Sequence, residues 1–167
     1  MTAEKLEILA LGVRGGIAEY RPAADTVRQV RDAGGVPVVS WSPGKWWGRR
    51  GRVVRALLSS CAPGELAVGD TTLRPAQLPA LGLLGLARRQ GRPILAGSDA
   101  LPFAGDAGHL GCYATRLAGP FDEADAWGSL RRLLSDAACT TGVAGRRDGL
   151  LRVLRRLQRN SRLAVAA

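Results

Sequence analysis

Residues 65–99 read ELAVGDTTLRPAQLPALGLLGLARRQGRPILAGSD. Two short apolar runs, ELAVGD (65–70) and PILAGSD (93–99), flank a leucine-rich helical segment that Pro79 interrupts early and Gly91 stops. Neither run alternates polar with apolar residues, which is the pattern of a strand covered on both faces of a parallel sheet. Strand, helix and strand in that order make a βαβ unit. Each run ends in an aspartate, Asp70 and Asp99.

The same pattern extends upstream. LEILALG (6–12) and VPVVSW (36–41) are two further apolar runs. Between them PAADTVRQVRDAGG (22–35) reads as a helix with Pro22 in its first turn and Gly34–Gly35 as its stop. VVRALLSS (53–60) is helical, with Val53, Val54, Leu57 and Leu58 on one face. Four strands separated by helices predict an α/β fold of repeated βα units on a parallel sheet, either open or a partial, distorted TIM-like (β/α) barrel. Beyond residue 100 the chain is loop-rich, with a short strand expected near Cys112–Arg116. FDEADAWGSLRRLLSDA (121–137) is an amphipathic helix whose acids lie early and arginines late, as its dipole favours. In DGLLRVLRRLQRNSRL (148–163), Leu150, Val153, Leu154 and Leu157 form one stripe, expected to pack on the domain and leave the arginines in water, with contact to nucleic acid or an acidic membrane surface as the alternative. No internal repeat or linker divides the chain. One α/β domain over residues 1–167 is expected, with a βα core about 5–116 and a C-terminal helical region about 120–163.

Composition narrows the partners. The net charge is +10, yet of 24 basic residues only Lys5 and Lys45 are lysine, a bias that resembles high-GC coding as much as nucleic-acid binding. The charge is concentrated in KWWGRRGRVVR (45–55) and in the arginines after residue 140. Cys61, Cys112 and Cys139 are scattered and odd in number, which argues against a disulfide framework or a structural zinc site and for buried reduced thiols. The acidic start MTAEKLEILALG is not a signal peptide, and no apolar stretch is long enough to span a membrane, so a cytoplasmic protein is expected.

In parallel α/β sheets ligands sit at the carboxyl ends of the strands. By that rule Gly12–Gly16, Ser40–Trp41–Ser42, Gly69–Asp70 and Gly97–Ser98–Asp99 converge on one face. Asp99 is a candidate general base or metal ligand, with capping of its own loop as the alternative. Asp70 has the same placement but also has Arg74 within reach as a partner. His109, the only histidine, stands in the loop after Asp99 as a candidate ligand or proton carrier; Asp106 is a weaker one. The basic loop SPGKWWGRRGR (42–52) offers glycines that let backbone amides approach an anion. Lys45, Arg49, Arg50, Arg74 and Ser42 are the anion-binding candidates, and Arg52 adds a further guanidinium to the loop. Trp41 and Trp46, with Trp47, either stack on a ligand ring or pack on the sheet rim. LALGVRGG (9–16) lacks the GxGxxG spacing of a dinucleotide site.

ILAGSDALPFAG (94–105) resembles the last metal-binding strand of PHP-type (polymerase and histidinol phosphatase) hydrolases, and amidohydrolase barrels look similar there. The match extends over roughly residues 36–105. It implies a barrel hydrolase in which Asp99 coordinates metal or activates water. With one histidine, the resemblance leaves room for a single divalent metal (zinc, manganese or iron) held by Asp99, Asp70 and His109. With four strands, it implies a C-terminal half-barrel, a homo-oligomer that completes the barrel, or a descendant that has lost its metal site. The expected activity is metal-assisted hydrolysis of a phosphoester or amide on an anionic small molecule. The alternative from a different class is a non-catalytic basic domain that contacts nucleic acid or an acidic protein.

Overall fold

Val36–Ser40 (β2), Ala67–Thr71 (β3) and Ile94–Gly97 (β4) run parallel, and their apolar residues split between two faces. Val39 and Val68 point to one side, Val38, Ala67 and Leu95 to the other, and each side has its own buried cluster. This is the double-sided burial that the unbroken apolar runs demand. The structure is a computed structural model that describes residues 1–103 and 105–166; of residues 141 and 163–166 it describes the backbone alone.

The first layer holds Ala23–Asp32 (α1), Gly48–Ser60 (α2) and Gly82–Arg89 (α3). They pack Ala23, Val27, Val54, Leu57, Leu58, Leu84 and Ala87 on the sheet together with Trp46. Ala126–Ser135 (α4) covers the opposite face through Leu130, Leu134 and Trp127. The helices differ from the sequence reading at their starts. α3 begins three residues after Pro79, and α2 begins at Gly48, so Arg49, Arg50 and Arg52 lie on its first turns rather than in a loop. α2 ends against Arg92, whose buried guanidinium donates to the carbonyls of Leu58 (2.6 Å), Ala62 (2.9 Å) and Cys61. A cation on the last carbonyls suits the negative end of a helix.

Three corrections concern topology. Ile8–Leu11 (β1) pairs antiparallel with β2, Ile8 opposite Val39 and Leu11 opposite Val36, so the sheet is mixed rather than parallel throughout. The order is β1-β2-β3-β4 with β1 and β4 at the edges, so the sheet is open, and no TIM-like barrel is formed. The expected strand near Cys112 is Tyr113–Leu117 (β5), and it pairs antiparallel with Thr140–Gly145 (β6), which the sequence reading placed in a helical region. This hairpin lies along the free edge of β4. Thr115 Oγ1 accepts from Ala96 N at 2.6 Å, so a side chain rather than a backbone ladder shields that edge.

Leu150–Ala166 (α5) ends the described chain. It turns Val153 and Arg156 inward with Leu157 half-buried, so the expected stripe packs only in part: Leu150 and Leu154 are exposed, as is Leu151. The cysteines are free but half-buried rather than buried. Among the described residues, no helix is long and apolar enough to cross a membrane.

Candidate functional site at the strand ends

Reversal of β1 decides what stands at the carboxyl ends of β2–β4. Gly12–Gly16, just past β1, lies at the opposite end of the strands, beside the start of β2, where Gly12 meets the Trp127 ring. In its place comes Glu7, the residue that leads into β1: Ser40 N donates to Glu7 O at 3.1 Å. The Glu7 carboxylate pairs with Lys45 from the loop after β2. Asp99, beyond the end of β4, has a left-handed backbone (φ +48°), a conformation aspartate tolerates better than most residues. Although Asp99 as a residue is exposed, its carboxyl is partly desolvated; with the charge of Glu7, this outweighs Arg156, Thr71 and Lys45 and raises its pKa above the ordinary value.

The other strand-end acid is spent internally. Asp70 and Arg74 are 1% and 2% exposed and form a two-point pair, Nε–Oδ1 2.7 Å and Nη2–Oδ2 2.5 Å. Tyr113 Oη donates to the same Oδ2 at 2.9 Å, and this ties β5 to β3. Burial, then the Asp70 charge and hydrogen bond, push the Tyr113 phenol up to about 12. Arg74 Nη1 also donates to Leu78 O. Arg74 is therefore a neutralised buried cation rather than a free anion ligand.

His109 and Asp106 belong to a second buried network, centred on Arg156. Its guanidinium donates to Asp106 Oδ1 (2.9 Å) and Oδ2 (2.8 Å), Asp148 Oδ2 (3.0 Å), Thr72 Oγ1 (2.7 Å) and Asp99 O (3.1 Å). Asp106 also accepts from Leu101 N at 2.6 Å. Burial pushes the Asp106 pKa up, but the Arg156 and Leu101 hydrogen bonds and the Arg156 charge outweigh it, so its carboxyl stays below the ordinary range. His109 stands on the short helical turn Ala107–His109, with Nδ1 3.2 Å from Asp106 and Nε2 3.6 Å from Asp148. The Nδ1 contact lacks hydrogen-bond geometry, so this buried nitrogen has no partner.

These positions do not fit a divalent metal held by Asp99, Asp70 and His109. Both Asp70 oxygens face donors, and His109 faces Asp106 and Asp148 rather than Asp99. Among the described residues no group of three or more His, Cys, Asp or Glu side chains is arranged to hold an ion. Guanidiniums occupy the centres of the buried acidic clusters.

The basic segment divides in two. Lys45 turns to Glu7; Ser42 is buried, with its carbonyl accepting from Lys45 N. Arg49 is exposed and Arg50 half-buried on the first turn of α2. Beside them a cavity of about 540 Å3 is lined by Trp41, Trp46 and Trp47, by Arg52 and Arg55 from α2, and by Leu78, Pro79 and Leu81. Buried Arg74 reaches its wall. Trp46 is a core residue whose Nε1 donates to Ser40 O at 3.1 Å, whereas Trp47 is 79% exposed. Among the described residues neither Arg52 nor Arg55 has a carboxylate partner.

Glu7, Tyr113, Asp148 and Arg156 escaped the sequence reading. Glu7 is placed by a strand direction that no periodicity encodes. Arg156 looked like one more solvated arginine; its signal was the spacing Val153–Arg156, three residues apart on one helix face, with Asp148 eight residues before it. Comparison with protein-family models, with curated proteins and with solved structures finds no match.

Proposed function

We propose that this protein binds an anionic small molecule carrying a ring or other apolar body in the cavity between the β2 end, α2 and the loop before α3. Arg52 and Arg55 take the anion, and Trp41 and Trp47 take the body. The observation that supports this reading is the pairing, in one cavity, of indoles with two guanidiniums that lack acidic partners. Binding sites are concave, mostly apolar and carry a few convergent polar groups, and guanidinium is the preferred planar donor for phosphate and carboxylate.

Phenyl phosphate, with inorganic phosphate as the ring-free control, tests this by tryptophan fluorescence. Phenyl phosphate should quench more strongly and bind more tightly. Loss of a charge-assisted contact at about 1.5–3 kcal/mol predicts at least a tenfold weaker Kd for Arg52→Ala with Arg55→Ala. No quench by either probe up to about 10 mM, where binding is weaker than about −3 kcal/mol, rejects the reading.

One observation favours a hydrolytic second reading. Asp99 ends a strand that resembles the PHP-type site strand, and its raised pKa moves it towards the range of a general base. In that reading the ester lies outside the tryptophan cavity, over the ends of β2–β4. Asp99 accepts a proton from water as the water oxygen bonds to phosphorus and the P–O bond to the ring breaks, phenolate leaving. Lys45, held by Glu7, supplies positive charge nearby. Phosphate release from phenyl phosphate that disappears in Asp99→Asn supports it; release unchanged in that variant rejects it.

A further inference from the structure

Two leucines of the α5 stripe expected to pack inward, Leu150 and Leu154, face away from the protein, and Leu151 beside them does too. Leu150, Leu151 and Leu154 are 49%, 70% and 52% exposed, while the inward face is Val153 and Arg156 with Leu157 half-buried. The five hydrogen bonds of Arg156 to Asp106, Asp148, Thr72 and Asp99 set this rotation, because a buried carboxylate left unpaired costs more than a leucine left in water. Arg152, Arg155, Arg159 and Arg162 are also exposed on this helix, and no acid lies within it. Exposed apolar surface continues onto the loop before α3. Gln77 Oε1 accepts from Leu150 N at 3.2 Å, and next to it Leu78 is 44% exposed.

We infer that α5 is a docking surface for an anionic lipid bilayer, lying in the headgroup plane with its leucines against the acyl boundary and its arginines on the phosphates. Exposed leucines grouped beside a row of cations on one helix are the combination such surfaces select. Two other occupants fit less well. A second copy would bring one arginine row against another. Nucleic acid would meet the arginines but would leave the leucines in water.

The test is co-sedimentation of the full chain with phosphatidylcholine vesicles that contain about 30% phosphatidylglycerol, against phosphatidylcholine alone, at about 0.1 M salt. Binding to the anionic vesicles, and little to the neutral ones, is expected. Leu151→Ser with Leu154→Ser should weaken partitioning at least about tenfold, since each leucine withdraws apolar area from water on docking. Arg155→Gln with Arg162→Gln should weaken it as well and flatten its salt dependence. All four side chains are exposed, so circular dichroism should match the parent. No sedimentation with anionic vesicles overturns the inference, and accompanying self-association in the ultracentrifuge would assign the face to a second copy. Sedimentation unchanged by the leucine pair also overturns it; a salt-sensitive shift of duplex DNA would then assign the arginines to nucleic acid.

Discussion

Replacement of Arg156 by alanine should be the most damaging single change outside the apolar core. The guanidinium makes five hydrogen bonds, three of them to the carboxylates of Asp106 and Asp148, which are 1% and 8% exposed. Breaking a buried ion pair from one side strands the other charge and costs about 3–5 kcal/mol, a large share of the 5–15 kcal/mol typical of a domain. The pH dependence is the sharper part. In the parent, the Asp106 pKa is held low, so its contribution is complete above the unfolded value near 4 and is lost as pH falls through the folded one. Without Arg156 the desolvation of Asp106 is opposed mainly by the Leu101 hydrogen bond, so its pKa rises and protonation on acidification relieves part of the strain. The gap between parent and variant should therefore be widest near pH 7 and narrow steadily towards pH ~4. Urea unfolding at a series of pH values measures it, with an unchanged m-value as the check that both unfold alike. A loss below about 1 kcal/mol, or one equal at both ends of that range, would refute a charge-based role for this network.

Other perturbations report on other parts of the chain. Tyr113 should ionise only near pH 12, so its stabilising share is complete below about pH 10 and is lost as pH rises through the folded value; ultraviolet titration of parent against Tyr113→Phe checks this. Gly12→Ala places a methyl within 1.9–2.2 Å of the Trp127 ring at φ +73° and should cost about 1–3 kcal/mol from overpacking alone, visible as a lowered Tm; an unchanged Tm would mean that α4 does not seat there. Asp99→Asn keeps a side chain that tolerates the left-handed backbone while removing a charge opposed to Glu7. It should therefore be neutral or stabilising by up to about 1 kcal/mol at pH 7, whereas Asp99→Ala should lose stability, and calorimetry distinguishes them.

Much of this architecture was legible in the order of residues. Unbroken runs such as AVGDT and VPVVS, each set between helices, specify strands covered on both faces, because only burial of both faces removes the need for alternation. Gly34 after α1 and Gly91 after α3, both at positive φ, end helices where their sequence says they must. The placement of Asp99 at a strand end followed from the same logic, and so did the alternative that Asp70 pairs with Arg74.

Tertiary structure decided the rest. β1 has the same apolar character whether it runs parallel or antiparallel to β2; its direction depends on the route of the connection, and that direction brings Glu7 rather than Gly12–Gly16 to the site. The TTGVAG stretch has too little apolar character to announce a strand and becomes one because it can close a ladder with β5. α5 is amphipathic by its spacing, yet spacing reports only that two faces differ. Which face turns inward was settled by two buried carboxylates, Asp106 from fifty residues upstream and Asp148 just before the helix, whose charges the Arg156 guanidinium pairs.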